Sequence, residues 1–110
     1  MNTIIKKEVP QKTWFVYIIL GTDGNYYTGI TTDVQRRWRE HCGVNGKALG
    51  AKYFRGRKPL QLVYVESQLN RSGATKRECQ IKKLSKSHKQ ELIIQKLNQI
   101  AKFPSIKSIR

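Results

Sequence analysis

The stretch from Trp14 to His41 constrains the fold of this chain more than any other. It begins inside an almost continuous apolar run, Thr13 to Leu20, that is rich in aromatic and β-branched side chains. Such a run predicts a central strand covered on both faces. A turn at Thr22 to Gly24 and a second β-type segment, Asn25 to Ile30, come next. The two segments therefore predict a β-hairpin.

The length of the hairpin loop decides where Tyr17 and Tyr27 point. Because side chains alternate along a strand, a two-residue loop, Asp23-Gly24, would place the tyrosines on opposite faces of the sheet. A three-residue loop, Thr22 to Gly24, would place them on the same face. We favour the three-residue loop, or another loop with an odd number of residues, since the three-residue loop needs a left-handed residue at its last position and Gly24 stands there. Only in that case can the two tyrosines share a site.

A helix from Val34 to about Cys42 is predicted next, with Thr32 or Asp33 as its cap and Gly43 as its end. Side chains at i, i+4 spacing give it an apolar stripe, which can pack on the sheet, and a polar stripe at the border of the sheet. A third pair on the same helix predicts an exposed salt bridge of little consequence. The apolar pair is Val34 with Trp38, the polar pair at the border of the sheet is Arg37 with His41, and the predicted salt bridge is Arg36 with Glu40.

The later part of the chain predicts one strand and two helices. Leu60 to Glu66 alternates as a third strand, and a helix opened by Ser72 or Thr75 runs to about Lys86. The last helix is expected from Lys89 to Lys102, with Ser87 and Gln90 as a capping box and Pro104 as its stop. The expected apolar stripes are Ala74, Ile81 and Leu84, then Leu92, Ile93, Leu97, Ile100 and Ala101. The predicted fold class is α/β (α+β), a three-stranded, mainly antiparallel sheet flanked by helices.

The charge of the chain indicates its partners. There are 22 Lys and Arg against 7 Asp and Glu, a net charge of +15, which favours a polyanion. The basic residues are scattered through folded-looking segments and do not cluster beside an apolar anchor, so nucleic acid is preferred to a membrane surface. We expect Arg36, and Lys52, Arg55 and Arg57 in the glycine-rich segment 43–59, to bind it.

Location and redox state follow from simpler features. The chain has no run of about 18 apolar residues that could span a bilayer, and its beginning is too polar after Ile5 for a signal peptide. These features predict a cytoplasmic protein. Cys42 and Cys79 stand alone, far from any metal-binding or redox spacing, and are expected to be reduced thiols in or near the core.

Glu78 is the most informative residue outside the opening stretch. On a helix it lies in phase with Ala74 and Ile81, where an uncompensated carboxylate would cost several kcal/mol. It needs either a Lys or Arg partner or a divalent metal, since Mg²⁺ sites use one or two protein carboxylates. Spacing alone favours the ion pair. Arg37 likewise fits either a solvated group or a clamp for phosphate oxygens.

Two short motifs give these residues a common context. Val16-Tyr17-Ile18 in the first strand and Tyr27-Thr28-Gly29 in the second resemble the paired motifs of the GIY-YIG nuclease superfamily. Arg37 and Glu78 fall where that family places its Arg and Glu, and the Arg-rich helix ends in a His as the family's does. The resemblance covers roughly Thr13 to Leu92 and is closest to the small single-domain bacterial members. The chain departs from several nucleases of the family that have an Asn on the helix after the Glu. The corresponding segment here, 87–91, contains no Asn.

The resemblance implies a role for each residue of the expected site. Tyr27 would act as the general base, Tyr17 would position the attacking water, and Arg37 would bind the scissile phosphate with His41 in support. Glu78 would hold a single Mg²⁺ or Mn²⁺. The implied division is a flexible leader at 1–12, a GIY-YIG nuclease-like domain at 13–92 and a helical extension with a basic tail at 93–110.

The function implied is a divalent-metal-dependent endonuclease that hydrolyses phosphodiester bonds in DNA, with RNA as an open alternative. No second DNA-binding domain is apparent, so we expect targeting by substrate structure or by a protein partner, in repair or recombination. Two alternatives use the same charge without turnover: a basic nucleic-acid-binding module on this fold, and an accessory protein of a complex such as the ribosome.

Overall fold

The structure is a computed structural model that describes residues 12–43 and 58–103. Its three strands form one antiparallel sheet in the order β2-β1-β3, so the predicted α+β class and the central position of the first strand are confirmed. The elements in chain order are β1 (Trp14–Gly21), β2 (Tyr26–Thr31), α1 (Val34–Cys42), β3 (Pro59–Gln68), α2 (Arg71–Lys82), α3 (Lys86–Ile93) and a 3₁₀ helix (Ile100–Lys102).

The hairpin has the register of the three-residue loop. Tyr17 pairs with Gly29 across β1 and β2, as the odd loop requires. Gly24, the last residue of the loop Thr22 to Gly24, has φ of 82°, which is the left-handed conformation that glycine adopts without a Cβ clash. Tyr17 and Tyr27 therefore lie on the same face of the sheet, where their ring centroids are 6.3 Å apart.

The sheet has a core on each face, and β1 contributes alternate residues to both. We call them the α1 face and the α2 face after the helix that covers each. The buried residues of the α1 face are Tyr17, Ile19, Val34, Trp38, Leu62 and Val65. Those of the α2 face are Val16, Ile18, Tyr64, Ala74, Ile81 and Leu92.

The simple alternation predicted for β3 is wrong because the strand contains a bulge. Ile18 pairs with Tyr64, but the next residue, Ile19, pairs with Leu62, which leaves Val63 as an extra residue. An extra residue reverses the direction of the side chains beyond it. Leu62 and Tyr64 therefore lie on opposite faces of the sheet, although their spacing predicts one face.

The first two helices differ in how well local signals predict them. α1 has its predicted bounds, with the Asp33 carboxylate accepting a hydrogen bond from the Arg36 amide and Gly43 as a left-handed end at φ 71°. The expected start and end of α2 are wrong: it begins after Asn70, whose side chain accepts from the Gly73 amide, and ends at Lys82. The proposed caps, Ser72 and Thr75, lie inside the helix.

The long final helix is also wrong. α3 is capped by Ser85 and ends at Ile93, because the chain then turns to lie along β3. The Asn98 side chain accepts from the Val65 amide at 3.1 Å and donates to the Val63 carbonyl at 2.8 Å. A continuous helix could not present these groups to the strand edge. Leu97, expected in an apolar stripe, is 47% exposed.

Several remaining expectations concern single residues. Cys42 is half-buried against the α1 face, whereas Cys79 is exposed, so its expected place near the core is wrong. Lys52, Arg55, Arg57 and the predicted leader and tail lie outside the described residues, apart from Lys12, which is exposed. Within the described ranges, no helix combines the length and apolar character needed to cross a membrane.

Candidate active site

Four of the predicted site residues meet on the α1 face. The Tyr17 hydroxyl lies 3.0 Å from Nε2 of His41, and it is also hydrogen-bonded to the Arg37 guanidinium and the Tyr27 hydroxyl. The Tyr27 ring packs edge-on against His41, with centroids 5.4 Å apart. Residues from β1, β2 and α1 thus converge on a single hydroxyl group.

Gly29 makes room for this cluster. It stands opposite Tyr17 in the hairpin, and a Cβ at this position would lie 2.5 Å from the Tyr17 hydroxyl oxygen. No real side chain tolerates that distance, so a larger residue would displace the tyrosine. The second motif therefore needs glycine at this position, because any side chain there would displace Tyr17 from the site.

The position of His41 on the helix predicts a place at the border of the sheet. The structure shows it buried instead, with only 2% of its surface exposed. Burial, followed by the positive charge of Arg37, lowers the pKa of His41 to about 4, with Glu40 acting weakly in the other direction. The imidazole is therefore neutral at pH 7. It can support Tyr17 by hydrogen bonding but carries no charge of its own.

The two tyrosines differ in how readily they ionise. Burial raises the pKa of Tyr17 well above its ordinary value, and burial also raises the pKa of Tyr27. The charges of Arg37 and Lys82 act to lower the pKa of Tyr27, and so does the hydrogen bond from Tyr17. That same hydrogen bond raises the pKa of Tyr17. Of the pair, Tyr27 is the group whose phenolate is favoured, and Tyr17 stays a neutral donor.

Arg37 lies between this cluster and the surface. Its Nη1 donates to Oε1 of Glu40 at 2.8 Å, and 26% of its side chain is exposed. Burial acts to lower the pKa of Arg37, but hydrogen bonds to Glu40 and Tyr17 raise it overall, so the cation is secure. The predicted pair of Arg36 and Glu40 is present at 3.8 Å, a longer contact than the one that Glu40 makes with Arg37.

Glu78 approaches from α2. Its carboxylate lies 3.4 Å from Lys82 Nζ, which is the ion pair that spacing alone favours. Its negative charge acts to raise the pKa of Tyr27. Within residues 12–43 and 58–103, no three His, Cys, Asp or Glu side chains are grouped so that they could hold a metal ion. A single carboxylate, such as that of Glu78, is the kind of protein ligand that Mg²⁺ combines with water and substrate oxygens.

Sequence reasoning missed a second polar cluster, on the α2 face. The buried Glu66 carboxylate accepts hydrogen bonds from Tyr64 at 2.5 Å, from Gln68, and from Nε of Arg77 at 3.0 and 3.1 Å. The available signal was a carboxylate directly after the apolar run from Leu62 to Val65 of the strand. It also missed Lys82, which stands one helical turn after Glu78.

Comparison with known proteins gives consistent results. A sequence model of the GIY-YIG catalytic domain matches residues 13–91. A UPF0213 protein of Desulfotalea psychrophila is 48% identical over 93 residues, which cover 84% of this chain and 82% of the relative. A UPF0213 protein of Halobacterium salinarum is 51% identical over 77 residues, 70% of this chain and 95% of the relative.

One solved structure is also similar. It is the solution NMR structure of a UPF0213 protein from Bacillus halodurans, 34% identical, covering 88% of this chain and 99% of that one with a TM-score of 0.49.

The division at residues 12 and 92 into leader, domain and extension stays a prediction.

Proposed function

The chain belongs to the GIY-YIG catalytic domain family, and we propose that it is a divalent-metal-dependent endonuclease that hydrolyses phosphodiester bonds in DNA. The observation that carries the proposal is the convergence of Tyr27, Arg37 and His41 on the Tyr17 hydroxyl. A packing cluster would not need a cation and two hydroxyl groups at one point. Phosphodiester hydrolysis needs a base and a cationic clamp together.

In this proposal Tyr27 takes the proton from the attacking water. Its pKa is raised in the free protein, chiefly by burial, so the base form is scarce at neutral pH. Arg37, Lys82 and the hydrogen bond from Tyr17 all favour the phenolate. We therefore expect activity to rise with pH through the alkaline range, because each step toward the pKa of Tyr27 increases the fraction of active base.

Arg37 binds the scissile phosphate. Its planar guanidinium can donate to two non-bridging oxygens at once, and its secure positive charge offsets the negative charge that grows on them. In the free protein one of its donors is used by Glu40. The substrate phosphate replaces that carboxylate as the partner, which brings the phosphate beside the hydroxyl cluster.

Glu78 would hold a single Mg²⁺ or Mn²⁺ ion, and Lys82 occupies its carboxylate in the free protein. When bound, such an ion supplies polarisation of the phosphate and help for the leaving 3′ oxygen. His41 and Tyr17 keep the cluster in place as neutral groups. We further propose that cleavage is directed by DNA structure or by a protein partner, in repair or recombination.

One experiment tests this function. The full chain is incubated with branched, nicked and linear DNA in Mg²⁺ or Mn²⁺, beside Glu78→Ala and Arg37→Ala. Cleavage by the wild type that both variants lose supports the enzyme. Exposed residues of the same charge provide matched controls, Arg39→Gln on α1 and Glu91→Gln on α3, and both should cleave normally. Binding by every form with cleavage by none would instead favour the non-catalytic binding module.

A further inference from the structure

A small cavity opens next to the candidate active site. Its volume is about 220 Å³, below the roughly 300–1,000 Å³ of pockets that take drug-sized ligands, so it suits a single ring-sized group. It shares Arg37 with the hydroxyl cluster, which places it directly beside the proposed position of the scissile phosphate. The lining residues are Trp14, Ile30, Thr31, Thr32, Arg36 and Arg37.

The lining combines the chemical features that bind a nucleotide. Trp14 offers a flat aromatic surface. The Arg71 guanidinium lies over its ring, 5.7 Å from the centroid, and a base that stacks on that face would take the place of this cation. Arg36 is an exposed cation whose contact with Glu40, at 3.8 Å, is long. Aromatic rings bind the faces of bases, and guanidinium groups bind phosphate oxygens.

We propose that this cavity is a subsite for one unpaired nucleotide of DNA next to the cleaved bond, with its base on Trp14 and its phosphate on Arg36. The proposal rests on the proposed function, because Arg37 links the cavity to the phosphate that is cut. A base inside a duplex has neighbours on both faces and cannot lie against Trp14. The preferred substrate therefore carries an unstacked nucleotide at the cleavage point, as at a flap, a fork or a single strand.

The binding experiment separates this subsite from general attraction by charge. Affinities of the full chain for a single strand and for a duplex are measured without metal, in EDTA, for the wild type and Trp14→Leu. We expect Trp14→Leu to weaken single-strand binding on the order of tenfold and to leave duplex binding within about twofold. Equal losses for both DNAs, or no loss for either, would overturn the subsite.

Charge is tested by a matched pair on α1. Arg36→Gln and Arg39→Gln each remove one cation, but only Arg36 lines the cavity. Arg36→Gln should weaken single-strand binding several-fold more than Arg39→Gln does. Equal effects of the two variants would contradict the placement of phosphate on Arg36. A same-sequence RNA strand is the third arm, and tighter binding of RNA than of DNA would overturn the assignment to DNA.

Tryptophan fluorescence gives a readout in the unaltered protein, which matters because Trp14→Leu removes packing from the α2 face. The chain has two tryptophans, and Trp38 is only 5% exposed. A single strand should quench the emission of the wild type, a duplex should not, and Trp14→Phe should abolish the quenching. Bound single strand without quenching would sink the proposal even if Trp14→Leu failed to fold.

The two proposals can fail separately. A chain that shows the Trp14 effects in EDTA and cleaves no DNA in Mg²⁺ or Mn²⁺ contradicts the proposed endonuclease and leaves the subsite intact. A chain that cleaves DNA while Trp14→Leu changes neither binding nor fluorescence contradicts the subsite alone.

Discussion

Two arginine–glutamate pairs lie on opposite faces of one sheet and are built differently. On the α2 face, Nε of Arg77 contacts both carboxylate oxygens of Glu66, whose side chain is 7% exposed. On the α1 face, Arg37 contacts one oxygen of Glu40 at 2.8 Å, and the side chains are 26% and 25% exposed. The first carboxylate is enclosed and fully hydrogen-bonded, whereas the second can be exchanged for another anion.

The difference separates a structural ion pair from a binding group. Glu66 cannot leave Arg77 without exposing a buried charge to an apolar surrounding, so the pair fixes α2 against β3. Arg77 immediately precedes Glu78 in the chain, and this anchor therefore also sets where the proposed metal ligand lies. Arg37 loses little by exchanging Glu40 for a phosphate, because water screens that pair.

The largest expected effect is on catalysis. Arg37→Gln should lower kcat on the order of 10²- to 10³-fold, since it removes a donor aimed at developing charge, while the free energy of unfolding changes by less than about 1 kcal/mol. Single-turnover cleavage and denaturant unfolding measure the two quantities. Arg39→Gln is the matched control on the same helix and should retain kcat. If Arg37→Gln unfolds the chain and leaves the kcat of the folded fraction intact, Arg37 is a structural group like Arg77.

The next effect is on stability, on the other face. Glu66→Ala should lower the free energy of unfolding by about 3 kcal/mol, because it leaves Arg77 and the Tyr64 hydroxyl without their shared acceptor. Glu40→Ala should cost less than about 1 kcal/mol. Urea unfolding of both variants checks the contrast. Equal costs would show that burial does not distinguish the two pairs.

The same contrast explains what the sequence could predict. The hairpin register and α1 were predictable because their signals, Gly24, Asp33 and Gly43, act within a few residues. The early end of α3 was not, since the hydrogen bonds of Asn98 reach β3 more than thirty residues away in sequence, at Val63 and Val65. A helical pattern contains no information about such partners.

The same distinction between local signals and distant partners explains which features of the site could be predicted. The shared face of Tyr17 and Tyr27 followed from loop length, which is local. The burial of His41 was missed because helical spacing gives only its angular position, and depth depends on how closely α1 packs against the sheet. Glu66 was missed because its partner, Arg77, comes from another element, and the sequence of β3 does not identify that partner.

The two faces also differ in their response to pH, because the α1 face contains a neutral imidazole where the α2 face contains an anion. The unfolded chain binds a proton at His41 near the ordinary pKa of 6.5, but the folded chain does so only near 4. Protons therefore favour the unfolded state between these values, and stability present above pH 6.5 is lost as the pH falls toward 4. We expect a contribution on the order of 2 to 3 kcal/mol, because a pKa difference of one unit corresponds to about 1.4 kcal/mol.

Unfolding measured at several pH values isolates this contribution. His41→Asn should flatten the profile between pH 6.5 and 4, whereas His88→Asn, which removes an exposed histidine from α3, should keep the wild-type slope. Two equal slopes would mean that the acid sensitivity arises elsewhere in the chain.

The smallest effect concerns the exchangeable pair itself. If Glu40 only occupies Arg37 until a phosphate arrives, Glu40→Gln should strengthen binding of DNA in metal-free buffer by about two- to fivefold, since the competing carboxylate is gone. Glu91→Gln on α3 changes the net charge equally and controls for general attraction. Equal gains would assign the effect to net charge, and a loss specific to Glu40→Gln would mean that the carboxylate holds Arg37 in its binding orientation. A gain specific to Glu40→Gln would establish that the half-exposed pair is a replaceable contact, which the enclosed pair of Glu66 and Arg77 is not.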